Sequence, residues 1–212
     1  MNALVKVGRG LRFAWRYEIG LWAALGLWVA RRPIAAEPGA KLFPYSSTVK
    51  MLMFVFIGVS AVEIPIVHLI LPWPAARHVL DVIGVYGLLW MLGLWAGMVR
   101  NPHVAGPSGL RIRGGTTLDQ PIAWTAIRQV RMRRRSMPPE GQVQVEEVGD
   151  QRILSFGVGS QTSIDVILHE PMTVPVRKAK GRPVTQIRFH ADDPDALVAE
   201  ANRWLAEHSR TV

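Results

Sequence analysis

Glu63, His68, His78 and Asp81 are the side chains whose types and spacing come closest to chemistry in this sequence. Two carboxylates and two imidazoles in one stretch can hold a metal ion or relay a proton. No HExxH-type spacing joins them, however. Glu63 and His68 lie inside a long apolar run and Asp81 opens a second one. Ionisable groups in such runs are costly and are normally paired. The competing reading is therefore hydrogen-bonded glue between two helices. Two other close clusters are His169-Glu170 and His190-x-Asp192-Asp193. The first precedes Pro171 at a strand end; the second lies at a helix start, where acids favour the positive end of the dipole. GVGSQ (157–161) has a glycine-loop look but no GK[ST] follows it, and its flanks read as strands. The chain has no cysteine. No catalytic residue, metal site or cofactor site is assigned on these grounds.

The densest charge is Arg128, Arg131, Arg133, Arg134 and Arg135. In an extended strand residues 131, 133 and 135 share one face. One reading is an edge strand kept from aggregating by charge. The other is docking on anionic lipid headgroups, worth roughly 1 kcal/mol per basic side chain near the surface. No aromatic residues interleave with these arginines, which argues against RNA.

These groups are positioned by two apolar segments, 51–71 and 80–99, each long enough to cross a bilayer core as a helix. The chain carries a net charge of +9, with 10 basic residues against 4 acidic ones in 1–100 and 15 against 12 after that. The surplus around the apolar runs suits anionic lipids; the tail is too mildly basic for a nucleic-acid-binding domain. Basic residues cluster near 31–50 and 100–113, while the loop between the segments has Arg77 alone. By the positive-inside rule this expects a multi-pass inner-membrane protein with both termini in the cytoplasm.

The short loop also sets register between the two segments. It predicts His68–Asp81 and Glu63–Tyr86 contacts, the latter to a neutral, hydrogen-bonded carboxyl. Gly93 and Gly97 form a GxxxG face on the second helix, open to the hairpin, to a second copy or to another membrane protein. Residues 1–32 hold an apolar core, 19–30, flanked by Arg9, Arg12, Arg16 and by Arg31 and Arg32. The expectation is a helix lying in the interface with Trp15, Trp22 and Trp28 at headgroup depth. A third span and a signal peptide are the alternatives. Residues 33–50, with three prolines, read as a linker. Ser46, Ser47 or Thr48 would cap the first spanning helix.

From 101 to 212 short alternating stretches follow one another: 109–115, 116–135, 141–149, 152–159, 162–170, 172–176 and 184–190. Pro121 suggests an edge or a bulge. Asp193 and Pro194 then open a helix with Leu197, Val198, Ala201, Trp204 and Leu205 on one stripe. The expected fold is α+β: a transmembrane hairpin (51–99) and a small antiparallel barrel or sandwich closed by a C-terminal helix.

Gly109-Leu-Arg-Ile-Arg, then Pro121-Ile-Ala-Trp-Thr-Ala-Ile127 and Val130, resembles the hairpin of pleckstrin-homology-like domains in bacterial membrane proteins. The resemblance covers roughly 105–208. It implies a PH-like module for lipid or protein contact, with no catalytic residues to carry over. The function expected is a non-enzymatic membrane scaffold binding anionic lipid or a protein partner. The rival is a subunit of an integral-membrane enzyme or transporter using Glu63, His68 and Asp81.

Overall fold

The computed structural model describes residues 2–209, without the side chains of residues 2–10 and Phe13. The side chain of Arg9 therefore lies outside the described residues. The chain divides into two compact units. The first comprises the segments up to Pro33, Lys50–Arg100 and Gly115–Thr117. The second comprises Ile34–Val49, Asn101–Gly114 and the chain from Leu118 onward.

Three helices make the first unit: α1 (Asn2–Val29), α2 (Ser47–Ile70) and α3 (Pro74–Arg100). α2 and α3 are each long and apolar enough to cross a membrane. α3 starts at Pro74, a favoured first helical residue, so the helix takes up PAARH before its apolar run begins. The tight connection is closed by Arg77, whose Nε and Nη2 donate to the Leu71 carbonyl at 3.2 and 2.8 Å. Ile64 of α2 meets Gly84 of α3, where an added Cβ would lie 2.8 Å from Ile64 Cγ1. Phe54 packs edge-on against Trp95 at 5.2 Å.

α1 packs along α3. Glu18 lies at the level of Tyr86 and Trp90, Leu21 at Gly93, and the Leu27 carbonyl at Arg100. Residue numbers rise together on both helices, so the two are parallel. Gly93 makes the approach possible: a Cβ there would meet Leu21 Cδ2 at 2.1 Å. Leu21 and Gly93 are buried where they meet; Ala24, Ala96 and Gly97 are buried as well, and Trp95 is buried beside Phe54 of α2. Gly97 is filled by Thr116 rather than by a helix.

The second unit holds β1 (Lys41–Phe43), β2 (His103–Gly106), β3 (Gly109–Gly114) and β4 (Leu118–Ile122) in one sheet, in that order and antiparallel throughout. A five-stranded sheet follows, of β5 (Ile127–Ser136), β6 (Val143–Val148), β7 (Gln151–Phe156), β8 (Gln161–Met172) and β9 (Val184–Phe189). Its order is β5-β8-β9-β7-β6, and α4 (Pro194–Ser209) ends the described chain. Side chains from both sheets and from α4 share one core, among them Leu110, Ile112, Ile122, Trp124, Leu154, Val166, Ile187, Phe189 and Leu197. Trp124 is buried and its Nε1 donates to the Gly106 carbonyl at 2.8 Å.

Three expectations change here. The four-stranded sheet is antiparallel as expected, but the five-stranded sheet is mixed, because β9 inserts between β8 and β7 and runs parallel to β7. Residues 33–50 are no free linker: β1 pairs with β2, and Lys41 Nζ reaches buried Glu200 of α4 at 2.5 Å. Residues 173–176 form no strand, since β8 ends at Met172 and Pro175 can donate no ladder hydrogen bond. Pro121 does sit in β4, the edge of its sheet.

Candidate functional site

The arginines of β5 divide into two sets. Arg131 pairs with Asp165 of β8 in the sheet register, and Asp165 in turn pairs with Arg188 of β9. Ser155 of β7 and Gln144 of β6 continue the same transverse row. Side chains alternate faces along a strand, so this row lies opposite the apolar row Val130, Val166, Ile187, Leu154 and Val145.

Asp165 has no solvent exposure, and arginines close over it. Arg135 Nη1 donates to Oδ1 at 2.5 Å, Arg131 Nε to Oδ2 at 3.3 Å, and Arg188 Nε lies 3.7 Å from Oδ1. A bulge between Met132 and Arg135 lets both β5 arginines reach one carboxylate. Arg188 also donates to Glu146 at 3.2 Å. Burial, then the neighbouring Arg135, pulls the Arg188 guanidinium below its ordinary pKa, and Asp165 and Glu146 oppose this. A buried carboxylate held by guanidinium groups ties β5, β8 and β9 together, and removing one partner leaves an uncompensated buried charge. Arg131 and Arg135 are thus committed to Asp165.

Arg128, Arg133 and Arg134 are the second set. They are exposed and have no ion-pair partner among the described residues. Beside them Arg134, Arg135, Ser136, Gln161 and Thr162 line a shallow pocket of about 220 Å³. The Thr162 hydroxyl is buried there without a hydrogen-bond partner. This corner of β5 and β8 presents uncompensated positive charge. A second pocket, of about 320 Å³, includes Glu37, Arg111 and Arg113, with Arg111 paired to Asp119 at 2.5 Å. Its charges balance.

His190-x-Asp192-Asp193 resolves into structural roles. Asp193 Oδ1 caps α4 by accepting from Ala196 N at 3.0 Å. Asp192 instead serves the start of α2, accepting from Ser47 N at 3.0 and 3.1 Å and from Ser47 Oγ at 2.6 Å. The α2 N-terminus is therefore capped by a distant aspartate rather than by a local serine or threonine. His190 Nε2 lies 3.0 Å from Thr48 Oγ1 and 3.8 Å from Asp192 Oδ1. Both neighbours face one ring nitrogen, while Nδ1 is buried and unpartnered. A hydroxyl–imidazole–carboxylate relay needs its acid on the opposite nitrogen. The arrangement cannot activate Thr48.

His103 gave no signal in the sequence, yet it is a buried titratable group of the second unit. It lies between Tyr45 and Phe189, with ring centroids 4.8 and 4.7 Å away. Arg113 N donates to its Nδ1 at 3.1 Å, so the ring proton sits on Nε2, which donates to the His190 carbonyl at 2.9 Å. Burial lowers its pKa to about 4.

In the first unit, His68 Nδ1 and Asp81 Oδ2 meet at 2.7 Å, as the loop register predicts. The Glu63–Tyr86 contact does not form. Tyr86 donates to Glu18 Oε1 at 3.1 Å, because α1 brings its own carboxyl to α3. Trp90 donates to the same oxygen at 3.2 Å and Trp22 to Oε2 at 3.0 Å. Glu63 is exposed and partnerless among the described residues. Glu63, His68 and Asp81 do not converge, and no group of three metal-ligating residues occurs among the described residues.

No protein-family model, curated protein or solved structure matches the chain.

Proposed function

We propose that the chain is an integral membrane protein whose second unit is a docking module for anionic lipid headgroups, serving as a scaffold rather than an enzyme. The observation that carries this is α2. Its 24 residues include none that is buried. Proteins in water rarely leave an apolar surface of that extent uncovered. Hydrocarbon satisfies it, and the backbone is already satisfied within the helix.

Basic residues 31, 32, 41 and 50, with 100, 111 and 113, favour a cytoplasmic second unit. The parallel packing of α1 on α3 changes the expectation for the N-terminus. If α3 spans, α1 runs beside it rather than lying flat in the interface, and this favours the opposite side for the N-terminal end. Paired reporters at the two ends test the topology: activity of an exported phosphatase at Val212 would overturn it.

For docking, Arg128, Arg133 and Arg134 supply the free charge, roughly 3 kcal/mol for three side chains at an anionic surface. Two sheets followed by α4 fit the order of elements of a PH-like domain; the parallel β7/β9 pair does not. The reading therefore rests on the arginine surface, not on the family. The test uses the full chain in nanodiscs of anionic or zwitterionic lipid. Hydrogen exchange at β5 should slow in anionic lipid and recover at high salt. Changing all three arginines to glutamine should remove that protection and leave the melting temperature unchanged. Equal protection in zwitterionic lipid refutes docking.

A further inference from the structure

Glu63 has a defined set of neighbours on its own helix. Steps of four and three residues from it lead to Leu52, Phe56, Val59, Ile66 and Ile70, and all five are exposed. This is the a/d spacing of a helix–helix seam. The side of α2 turned to α3 is different: it uses Phe54, Ile64 and His68, against Trp95, Gly84 and Asp81. The Glu63 stripe lies roughly 160° round the helix from that contact line, almost on the opposite side. Among the described residues of the first unit, none covers it.

A carboxyl facing hydrocarbon with no partner is costly, and a single such group can decide which helix face finds a neighbour. What would satisfy it follows from its chemistry and its depth. A carboxylic acid carries one O–H donor and one carbonyl acceptor, so two of them close a reciprocal hydrogen-bonded pair. All copies of the chain insert with one orientation, which puts every Glu63 at the same level. A twofold axis beside residue 63 then brings like to like along two parallel helices. A helix of another sequence would need its own polar group at that depth.

We propose that α2 is a self-association face: two copies of the chain pack in parallel along Leu52, Phe56, Val59, Glu63, Ile66 and Ile70, with the two Glu63 carboxyls hydrogen-bonded to each other. The proposal goes beyond headgroup docking and rests on α2 being a span. Glu63 acts in it as the registering group of the interface, as a single polar residue at an a position sets register in a coiled coil.

The absence of cysteine makes the test direct. Single cysteines are placed in the full chain at Val59 or Ile66, on the seam, and at Val62 or Leu69, exposed but off it. Each chain is oxidised in bilayers, and dimers are counted on non-reducing gels. Val59→Cys and Ile66→Cys should cross-link, and the off-seam pair roughly fivefold less or weaker still. Adding Glu63→Leu should cut seam cross-linking roughly eightfold, the worth of two interhelical hydrogen bonds in lipid, whereas Glu63→Gln should preserve it. Resistance to carbonate extraction is scored on the same samples. Cross-linking that ignores position or Glu63→Leu, or fails in a chain that resists extraction, overturns the proposal and leaves the span reading standing. A chain released by carbonate removes both.

Discussion

Acidification is expected to loosen the second unit through His103, and the size of the effect can be worked from its surroundings. The neutral ring is fully satisfied: Nδ1 accepts from Arg113 N and Nε2–H donates to the His190 carbonyl. A second proton on Nδ1 would oppose the Arg113 N–H in a site that excludes water. Burial sets the pKa at about 4 against an ordinary 6.5. The unfolded chain therefore takes up its proton first as pH falls. The contribution is complete above about pH 6.5 and is lost progressively down to about pH 4, amounting to about 3 kcal/mol. That corresponds to roughly 10 °C in melting temperature. The assay is thermal unfolding of the full chain in detergent across this range, beside His103→Gln, whose amide can offer one donor and one acceptor. His190 is also lowered, by burial first, and shifts stability in the same direction. It is present in both chains, so only the part of its contribution that is coupled to His103 remains in the difference. Imidazole nitrogen shifts in NMR read the titration directly. A His103 ring that titrates near 6.5, or a His103→Gln difference that does not vary with pH, refutes the reasoning.

Three further outcomes are expected. Asp165→Asn leaves arginines facing one another across β5, β8 and β9, and should lower stability by about 3 kcal/mol in thermal melts. Adding Arg135→Met should recover part of that loss. Gly93→Ala drives a methyl into Leu21 and should cost about 1–3 kcal/mol, rescued by Leu21→Ala, while Gly87→Ala, with open space around it, should be neutral by the same melts. Tyr86→Phe should weaken the α1–α3 seam by about 1 kcal/mol, seen as reduced cross-linking between cysteines placed on those helices, and should leave α2–α3 cross-linking unchanged.

What the sequence revealed was what is encoded locally. The apolar runs located α2 and α3, and their short connection fixed the His68–Asp81 pairing. That connection does not decide the partner of Tyr86, because the nearer carboxyl, Glu18, belongs to a third helix. Period-two alternation found β6, β7, β8 and β9, whose residues repeat long enough to count. β1 and β2, with three and four residues, are too short to show a period. Neither local periodicity nor composition marks β9 as the parallel neighbour of β7. Asp165 was missed for a related reason: one acid amid Ile164, Val166 and Ile167 reads as an outward-facing residue until β5 and β9 supply its arginines. The arginine run was visible at once, but its division was not, because the bulge that turns Arg135 toward Asp165 follows from strand pairing.

The insertion of β9 has a consequence for how the protein is made. Until residues 184–189 leave the ribosome, β8 can pair only with β5 and β7 only with β6, so each exposes one bare edge. β1 meanwhile must wait for β2, which emerges only after the whole of α2 and α3. Both sheets thus close late, through contacts distant in sequence, a topology that folds slowly. A chain stopped before Val184 would carry finished helices and an unfinished sheet. Such a product should be cleared by proteolysis rather than persist as a shorter anchor, so stop codons placed before codon 184 should behave as losses of the entire protein.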